Sequence, residues 1–353
     1  MSGPSRLENY FDNAATTPLD ARVREAMLPW LGEQCGNPHS LHAWGMQARE
    51  AVERARQYIA DQFATPPEQV FFTSGATEAN NWALQHATNL AVSPFEHSSV
   101  WAPAEAMGAT VLANEGYKCM PAPAGTDMQA VMVVGNETGA VLGAPSLRGW
   151  THRDATQALG KVPIDLISGD SWSCSAHKLG GPKGVGALVV TGNVALSPWM
   201  VGGGQEMGLR AGTLNVPGIV GFATALRLAK QDYEARTAHV RSLRAAFAEA
   251  AAGVPDSFIH EHDRQSPWIL TWVAAGIEGE TLVLEADARG FAIGAGAACS
   301  AHSNEPSRTL VALGWPPEHL RSAVRISFGP QNTVESVRAL AAVLKEAVNR
   351  LRG

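Results

Sequence analysis

Four short segments hold side chains able to do chemistry. Ser173-Cys174-Ser175-Ala176-His177-Lys178 runs into Leu179-Gly180-Gly181-Pro182-Lys183-Gly184, a polar, Gly-rich turn placed after a predicted buried strand. A lysine there can form a Schiff base if desolvation and cationic neighbours deprotonate its amine, and His177 is one candidate neighbour; an ordinary surface lysine fits the same pattern. Asp154-Ala155-Thr156-Gln157 lies 24 residues before Lys178. Its carboxylate could keep the pyridine nitrogen of pyridoxal phosphate protonated, so that the ring acts as an electron sink, while the Gln side chain bonds the ring hydroxyl; a cap explains the same Asp. Ser74-Gly75-Ala76-Thr77 would aim backbone N–H groups and a hydroxyl at a phosphate on a helix N-terminus, or be a tight turn with a Thr cap. Cys299 sits among small residues, Gly294-Ala295-Gly296-Ala297-Ala298 before it and Ser300-Ala301 after, which suits either a nucleophile on a mobile loop or a small buried cysteine.

These segments need a scaffold, and hydrophobic period supplies it. Residues 42–63 place Trp44, Ala48, Ala51, Ala55, Tyr58 or Ile59, and Phe63 on one helical face. Residues 70–72 read as a buried strand, 73–76 as a turn and 77–84 as the start of a helix. Further apolar runs at 130–134, 164–168, 185–190, 269–273 and 324–328 suit a mainly parallel sheet covered on both faces. Beyond Pro217 the pattern turns to long helices over 218–252, and 333–351 closes the chain with one apolar face. The fold class is therefore α/β, with a large domain followed by a smaller α+β one and a boundary near residue 230.

Length and composition bound the alternatives. A chain of 353 residues with 45% hydrophobic and 17% charged residues can bury a core without metal or disulfide staples. A formal charge of −6 gives no footprint for nucleic acid or an anionic membrane. No apolar run reaches the roughly 18 residues of a membrane span, and the N-terminus lacks a signal-peptide core. Cys35, Cys119, Cys174 and Cys299 form no Cys-x-x-Cys pair, so a reducing, cytoplasmic setting and no metal site are expected. Cys35, Cys119 and Cys174 read as structural, His39 and His42 as a helix entry rather than metal ligands, and His260-Glu261-His262 as a polar loop.

Taken in order, the motifs resemble those of the cysteine desulfurases of the NifS/IscS kind, class V members of the fold-type I pyridoxal-phosphate enzymes. The resemblance runs from Tyr10 to about Leu351 through Phe11-Asp12-Asn13-Ala14-Ala15-Thr16-Thr17-Pro18, Gly36-Asn37-Pro38, Thr73-Ser74-Gly75-Ala76-Thr77-Glu78, Glu96-His97, Asn136-Glu137-Thr138-Gly139 and Asp154-Ala155-Thr156-Gln157. It continues through the Lys178 segment, Gly202-Gly203-Gly204-Gln205-Glu206, Arg210-Ala211-Gly212-Thr213, Ala298-Cys299-Ser300 and Arg325-Ile326-Ser327-Phe328-Gly329. It implies a homodimer with pyridoxal 5'-phosphate as cofactor and L-cysteine as substrate, with sulfur left as a persulfide on Cys299 for an acceptor protein or scaffold in iron–sulfur or other thio-cofactor synthesis. It also implies roles. Lys178 would carry the cofactor, His97 stack on its ring and shuttle protons, Asp154 partner the pyridine nitrogen, and Gln157 and Asn136 lie near the ring hydroxyl. Gly75, Ala76, Thr77, Ser175 and His177 would cradle the phosphate, with Thr213 of a second subunit, and Asn13, Asn136 and Arg325 would hold the substrate carboxylate. The division implied is a large cofactor-binding domain over residues 13–230 and a small domain from residues 1–12 and 231–353 that carries the catalytic cysteine.

The chain departs from the family between His97 and Asp154, where it is short: residues 114–127 replace a strand and helix excursion, and 146–153 compress a helix. Gln205 and Met207 stand where relatives often carry His and Arg. The rival readings are selenocysteine lyase, cystine or cysteine-sulfinate cleavage, an aminotransferase in which Cys299 is incidental, and a non-catalytic sulfur-relay subunit.

Overall fold

The structure is a computed structural model that describes residues 7–163, 168–192, 194–295 and 306–353. Its first sheet is assembled from β1 (Val70–Thr73), β2 (Leu90–Val92), β3 (Thr110–Val111), β6 (Met128–Ala130), β7 (Trp150–Asp154), β8 (Ser171–Ser175) and β9 (Gly186–Val190), while β4 (Asn114–Glu115) and β5 (Lys118–Cys119) form a separate hairpin. The order is β1-β9-β8-β7-β6-β2-β3, parallel from β8 to β3, with β9 antiparallel to both neighbours. All residues of β1, β2, β6, β8 and β9 are buried, as expected where helices cover both faces. On one face pack α1 (Ala21–Met27), α2 (Ala43–Gln62) and α5 (Val216–Gln231); on the other, α3 (Ala76–Leu84) sets Ala79, Trp82 and Ala83 against Phe71, Leu188 and Val190, with α4 (Ser98–Ala106) beside it.

The second sheet is antiparallel: β10 (Ser257–His260), β11 (Ile269–Ala274), β12 (Gly294–Ala295) and β13 (Ala323–Ser327), in the order β10-β11-β13-β12. Its core is shared with α6 (Tyr233–Ala251), α7 (Gly279–Asp287) and α10 (Val334–Arg352), and α8 (Arg308–Ala312) and α9 (Pro317–Leu320) lie along its edge. Phe11 is buried in this core, and Tyr10 and Asp12 bridge to Ala292 and Ser327. The chain thus starts on the second sheet, and residues 14–17 then reach the first one.

The predicted helix over 42–63 is α2, and His42 opens it by accepting from Gly45 N–H at 3.2 Å through Nδ1, the capping role expected of that histidine. The predicted run 218–252 is two helices, α5 and α6, which meet at Asp232. The run 130–134 is β6 shifted two residues earlier, although Val131 and Val133 still donate to His152 and Asp154 at 3.1 and 2.9 Å. Of the predicted strand 164–168, residues 164–167 lie outside the described residues, and the strand that precedes Lys178 is β8 instead. Residues 146–149 lead into β7, which takes in 150–153, and residues 114–119 of the short 114–127 segment fold as the β4–β5 hairpin. His260 closes β10 rather than lying in a loop, and its Nε2 is 2.7 Å from Tyr117 Oη.

Candidate active site

Strands β7 and β8 end at Asp154 and Ser175, and the N-terminus of α3 opens beside them. Ligands of open α/β sheets gather at such carboxyl edges. A cavity of about 620 Å³ lies there, lined by Gly75, Ala76, Thr77, His97, Asn136, Asp154, Gln157, Ser175, His177, Lys178 and Arg325 together with Ala14, Ala15, Ser99, Thr156 and Lys183. Eleven of the fourteen residues singled out in the sequence therefore line one cavity. Asn13 does not line it: its Nδ2 donates to Ser327 O at 2.8 Å and its Oδ1 accepts from Gln331, so its polar atoms tie the N-terminal segment to β13. Thr213 is exposed and does not line this cavity, and Cys299 lies outside the described residues.

Lys178 stands in a short helical turn after β8 and donates to the carbonyls of Ala14 and Ala15 at 2.6 and 2.7 Å. The same N-terminal strap fixes the turn from the other side, because Thr17 Oγ1 donates to His177 O at 2.8 Å and accepts from Gly180 N–H at 2.8 Å. His177 is not the cationic neighbour suggested by its position. Burial first, then Lys178, Lys161 and Lys183, push its pKa down to about 4, so the ring is neutral and sits 3.0 Å from Thr16 Oγ1.

Asp154 accepts from Thr156 N–H and from Asn80 Nδ2, both at 2.9 Å. The second Asn80 Nδ2 proton goes to Ser99 Oγ at 2.8 Å, which leaves Asn80 Oδ1 to accept from His152 Nε2 at 2.9 Å. His152 Nδ1 then accepts from Ser171 Oγ at 2.8 Å, and Trp150 Nε1 donates to that oxygen at 2.6 Å. Burial lowers the His152 pKa to about 4, so the ring is neutral with its proton on Nε2. This chain of fixed donors ends at the Asp154 carboxylate and holds it in place. Period-2 alternation in β7 is why His152 and Asp154 face the same side.

Ser99 connects this network to His97. Its backbone N–H donates to His97 Nδ1 at 3.1 Å, capping α4, and its Oγ lies 2.8 Å from the same nitrogen; the neutral ring therefore carries its proton on Nε2. Behind His97, the buried Glu96 accepts from Ser93 Oγ at 2.7 Å and Met132 N–H at 2.5 Å, and burial raises its pKa to about 7.

At the other end, the turn into α3 is held by Glu78, which accepts from Ser74 N–H at 2.7 Å and pairs with Arg210 at 2.8 Å. A Cβ at Gly186 would lie 2.3 Å from Cys174 O and 2.7 Å from Gly75 Cα, so only glycine lets β9 pass behind the turn. Arg325 donates to Asn136 O at 3.0 Å and pairs with Asp12 at 2.8 Å, while its buried Nε has no hydrogen-bond partner among the described residues. Thr156 Oγ1 is likewise unsatisfied. Both sit on the cavity wall and would be satisfied by a polar ligand. Burial raises the Cys119 thiol to about 12 and raises that of Cys174 as well, which makes both inert, while Cys35 is exposed.

Sequence reasoning missed Asn80, Ser99, His152 and Lys161. The His152-x-Asp154 alternation was the available sign for one of them.

An aminotransferase class-V family model matches residues 9–340. The chain is similar to the cysteine desulfurase IscS of Neisseria meningitidis serogroup C, at 38% identity over 97% of this chain and 93% of the relative. Among solved structures it is similar to a NifS-like protein, at 29% identity and a TM-score of 0.88 over 97% of this chain and all of the other, and to SspA in complex with cysteine, at 28% identity and a TM-score of 0.74 over 92% of this chain and all of the other. With this fold and this cavity, the chain belongs to the class-V aminotransferase family, and its curated relatives are cysteine desulfurases.

Proposed function

We propose that the protein is a homodimeric pyridoxal-phosphate enzyme that converts L-cysteine to L-alanine and leaves a persulfide on Cys299 for a sulfur acceptor that serves iron–sulfur or other thio-cofactor synthesis. One observation carries the reading: Lys178, His97 and an Asp154 carboxylate held by Asn80 share one cavity with the N-terminus of α3. This donor set fits the cofactor. An amine can bind its carbonyl carbon, a carboxylate can face its pyridine N–H, an imidazole can lie on its ring and backbone N–H groups can take its phosphate.

When bound, the cofactor supplies an electron sink for the pair released as the substrate Cα–H bond breaks. Lys178 Nζ would anchor it, and the same amine when free would accept the substrate Cα proton. Asp154 keeps a proton on the pyridine nitrogen. Arg325 Nε, with Asn136 beside it, takes the substrate carboxylate, and His97 Nε2 moves a proton at the substrate sulfur. The Cys299 sulfur then bonds to that sulfur as its C–S bond breaks. In sum, L-cysteine and the Cys299 thiol become L-alanine and a persulfide, with atoms and electrons in balance.

The same reading makes residues 13–230 the cofactor-holding domain and residues 1–12 and 231–353 the small domain. It has Thr213 of the second subunit complete the phosphate cradle. Loading the protein with pyridoxal phosphate tests the cofactor part: a visible absorbance band is expected in the wild type and its loss in Lys178→Ala, and a wild type without a band contradicts the reading.

A further inference from the structure

Lys161 is a buried base that the proposed reaction does not use. It is 3% exposed, makes no ion pair among the described residues and donates to Gln157 Oε1 at 3.0 Å. Both residues stand on one compact turn after β7, where Leu159 N–H and Val162 N–H donate to Ala155 O and Ala158 O at 2.9 Å each. An ammonium taken out of water at this depth costs several kcal/mol unless it serves some polar group.

The hydrogen bonds define what it serves. When protonated, Lys161 only donates, so the carbonyl of the Gln157 amide then faces it and the NH2 faces away. That NH2 donates to Ala14 O at 2.8 Å, and the same oxygen accepts from Lys178 Nζ at 2.6 Å. Were the amide reversed, Gln157 Oε1 would meet Ala14 O, two acceptors in contact, and its NH2 would meet an amine. We infer that Lys161 is a positioning residue of this site: it fixes the direction of the Gln157 amide and, through the Ala14 carbonyl that Gln157 shares with Lys178, the resting place of the Lys178 amine.

The surrounding charges make Lys161 an electrostatic partner as well. Burial lowers its pKa to about 7, helped by Lys178, Arg236 and Arg325, so a proton there competes with one on Lys178. It also lines a second cavity of about 420 Å³ with Lys178, Arg22, Arg236, Asp20 and Asp232, of which Arg22 pairs with both carboxylates.

The inference rests on the proposed cofactor chemistry, and its test separates the two. The cofactor-loaded wild type, Lys161→Met and Lys161→Arg are titrated for the pH midpoint at which the visible band converts, for cofactor dissociation constant and for thermal melting. Losing a neighbouring positive charge and a fixed amide donor favours protonation at Lys178. Lys161→Met is therefore expected to raise the midpoint by about half a pH unit or more and weaken cofactor binding about tenfold, with Lys161→Arg restoring most of both. If Lys161→Met does not fold, Lys161→Gln removes the charge alone, and a smaller upward shift is expected. A band present in every variant with an unmoved midpoint overturns the inference while leaving the functional reading in place; a wild type without any band overturns both.

Discussion

Asn80 is the residue on which the site turns, since both Nδ2 protons go to Ser99 and Asp154 on the cavity wall and Oδ1 goes to the buried His152 behind them. Asn80→Ala leaves Asp154 one donor short and His152 Nε2 without an acceptor, at a cost of about 1–3 kcal/mol for each stranded group. Cofactor affinity should fall at least tenfold and the melting temperature should drop; equal affinity in the variant would contradict the network. His152 adds a pH dependence whose sign is fixed by its lowered pKa. The folded protein refuses a proton that the unfolded chain accepts between its ordinary value near 6.5 and about 4, so stability is fully present above that window and is lost on acidification through it. The slope contributed is at most about 1.4 kcal/mol per pH unit, and denaturant titrations from pH 7 to 4.5 should show it flattened in His152→Gln. Lys178, Asp154 and Arg325 were legible because contiguous motifs carry them. Asn80 and Lys161 were not, because a buried polar residue on a helix or turn reads as ordinary until its partners from distant strands are known. Asn13, a motif residue expected at the substrate carboxylate, hydrogen-bonds the backbone of Tyr10 and Ser327 through Nδ2.

Elements with a strong period were read well and those shaped by the site were not. Helices α2, α3 and α10 and strands β1, β9, β11 and β13 fall within a few residues of their hydrophobic runs. Strand β8 escaped because Ser171-Trp172-Ser173-Cys174-Ser175 has small polar side chains where a buried strand usually has branched apolar ones. Ser175 is one of these, and it lies on the cavity wall. Another element needs a polar lock. The segment after the three glycines is anchored by buried Glu206, which pairs with Arg56 at 2.7 Å and accepts from Phe72 N–H of β1 at 2.7 Å. Arg56 also lies over the Phe72 ring, 4.8 Å from its centroid. Breaking this pair on one side leaves a charge stranded, so Arg56→Met should destabilise by about 3–5 kcal/mol, and an unchanged melting temperature would show that the pair contributes little.

At the scale of the whole molecule, the second sheet reaches the cavity through Arg325 and the N-terminal strap through Ala14 and Ala15, so the site closes only when both sheets are in place. Leu28, Leu31, Leu41, Trp44 and Met46 are each exposed after α1 and at the start of α2, apolar side chains that the proposed dimer could cover. Light scattering should give twice the 37.3 kDa chain mass, and a monomer that binds cofactor normally would contradict a cradle completed by Thr213 of a second subunit. Pairing of this kind is implied only by the family resemblance, since no single-chain pattern says what covers a surface. The most direct test of the central claim is alanine formed from L-cysteine in the presence of a reductant, compared between cofactor-loaded wild type and Cys299→Ala. The account predicts alanine from the wild type and none from the variant, with the cofactor band intact in both. Equal alanine from the two proteins, or none from either, would contradict it.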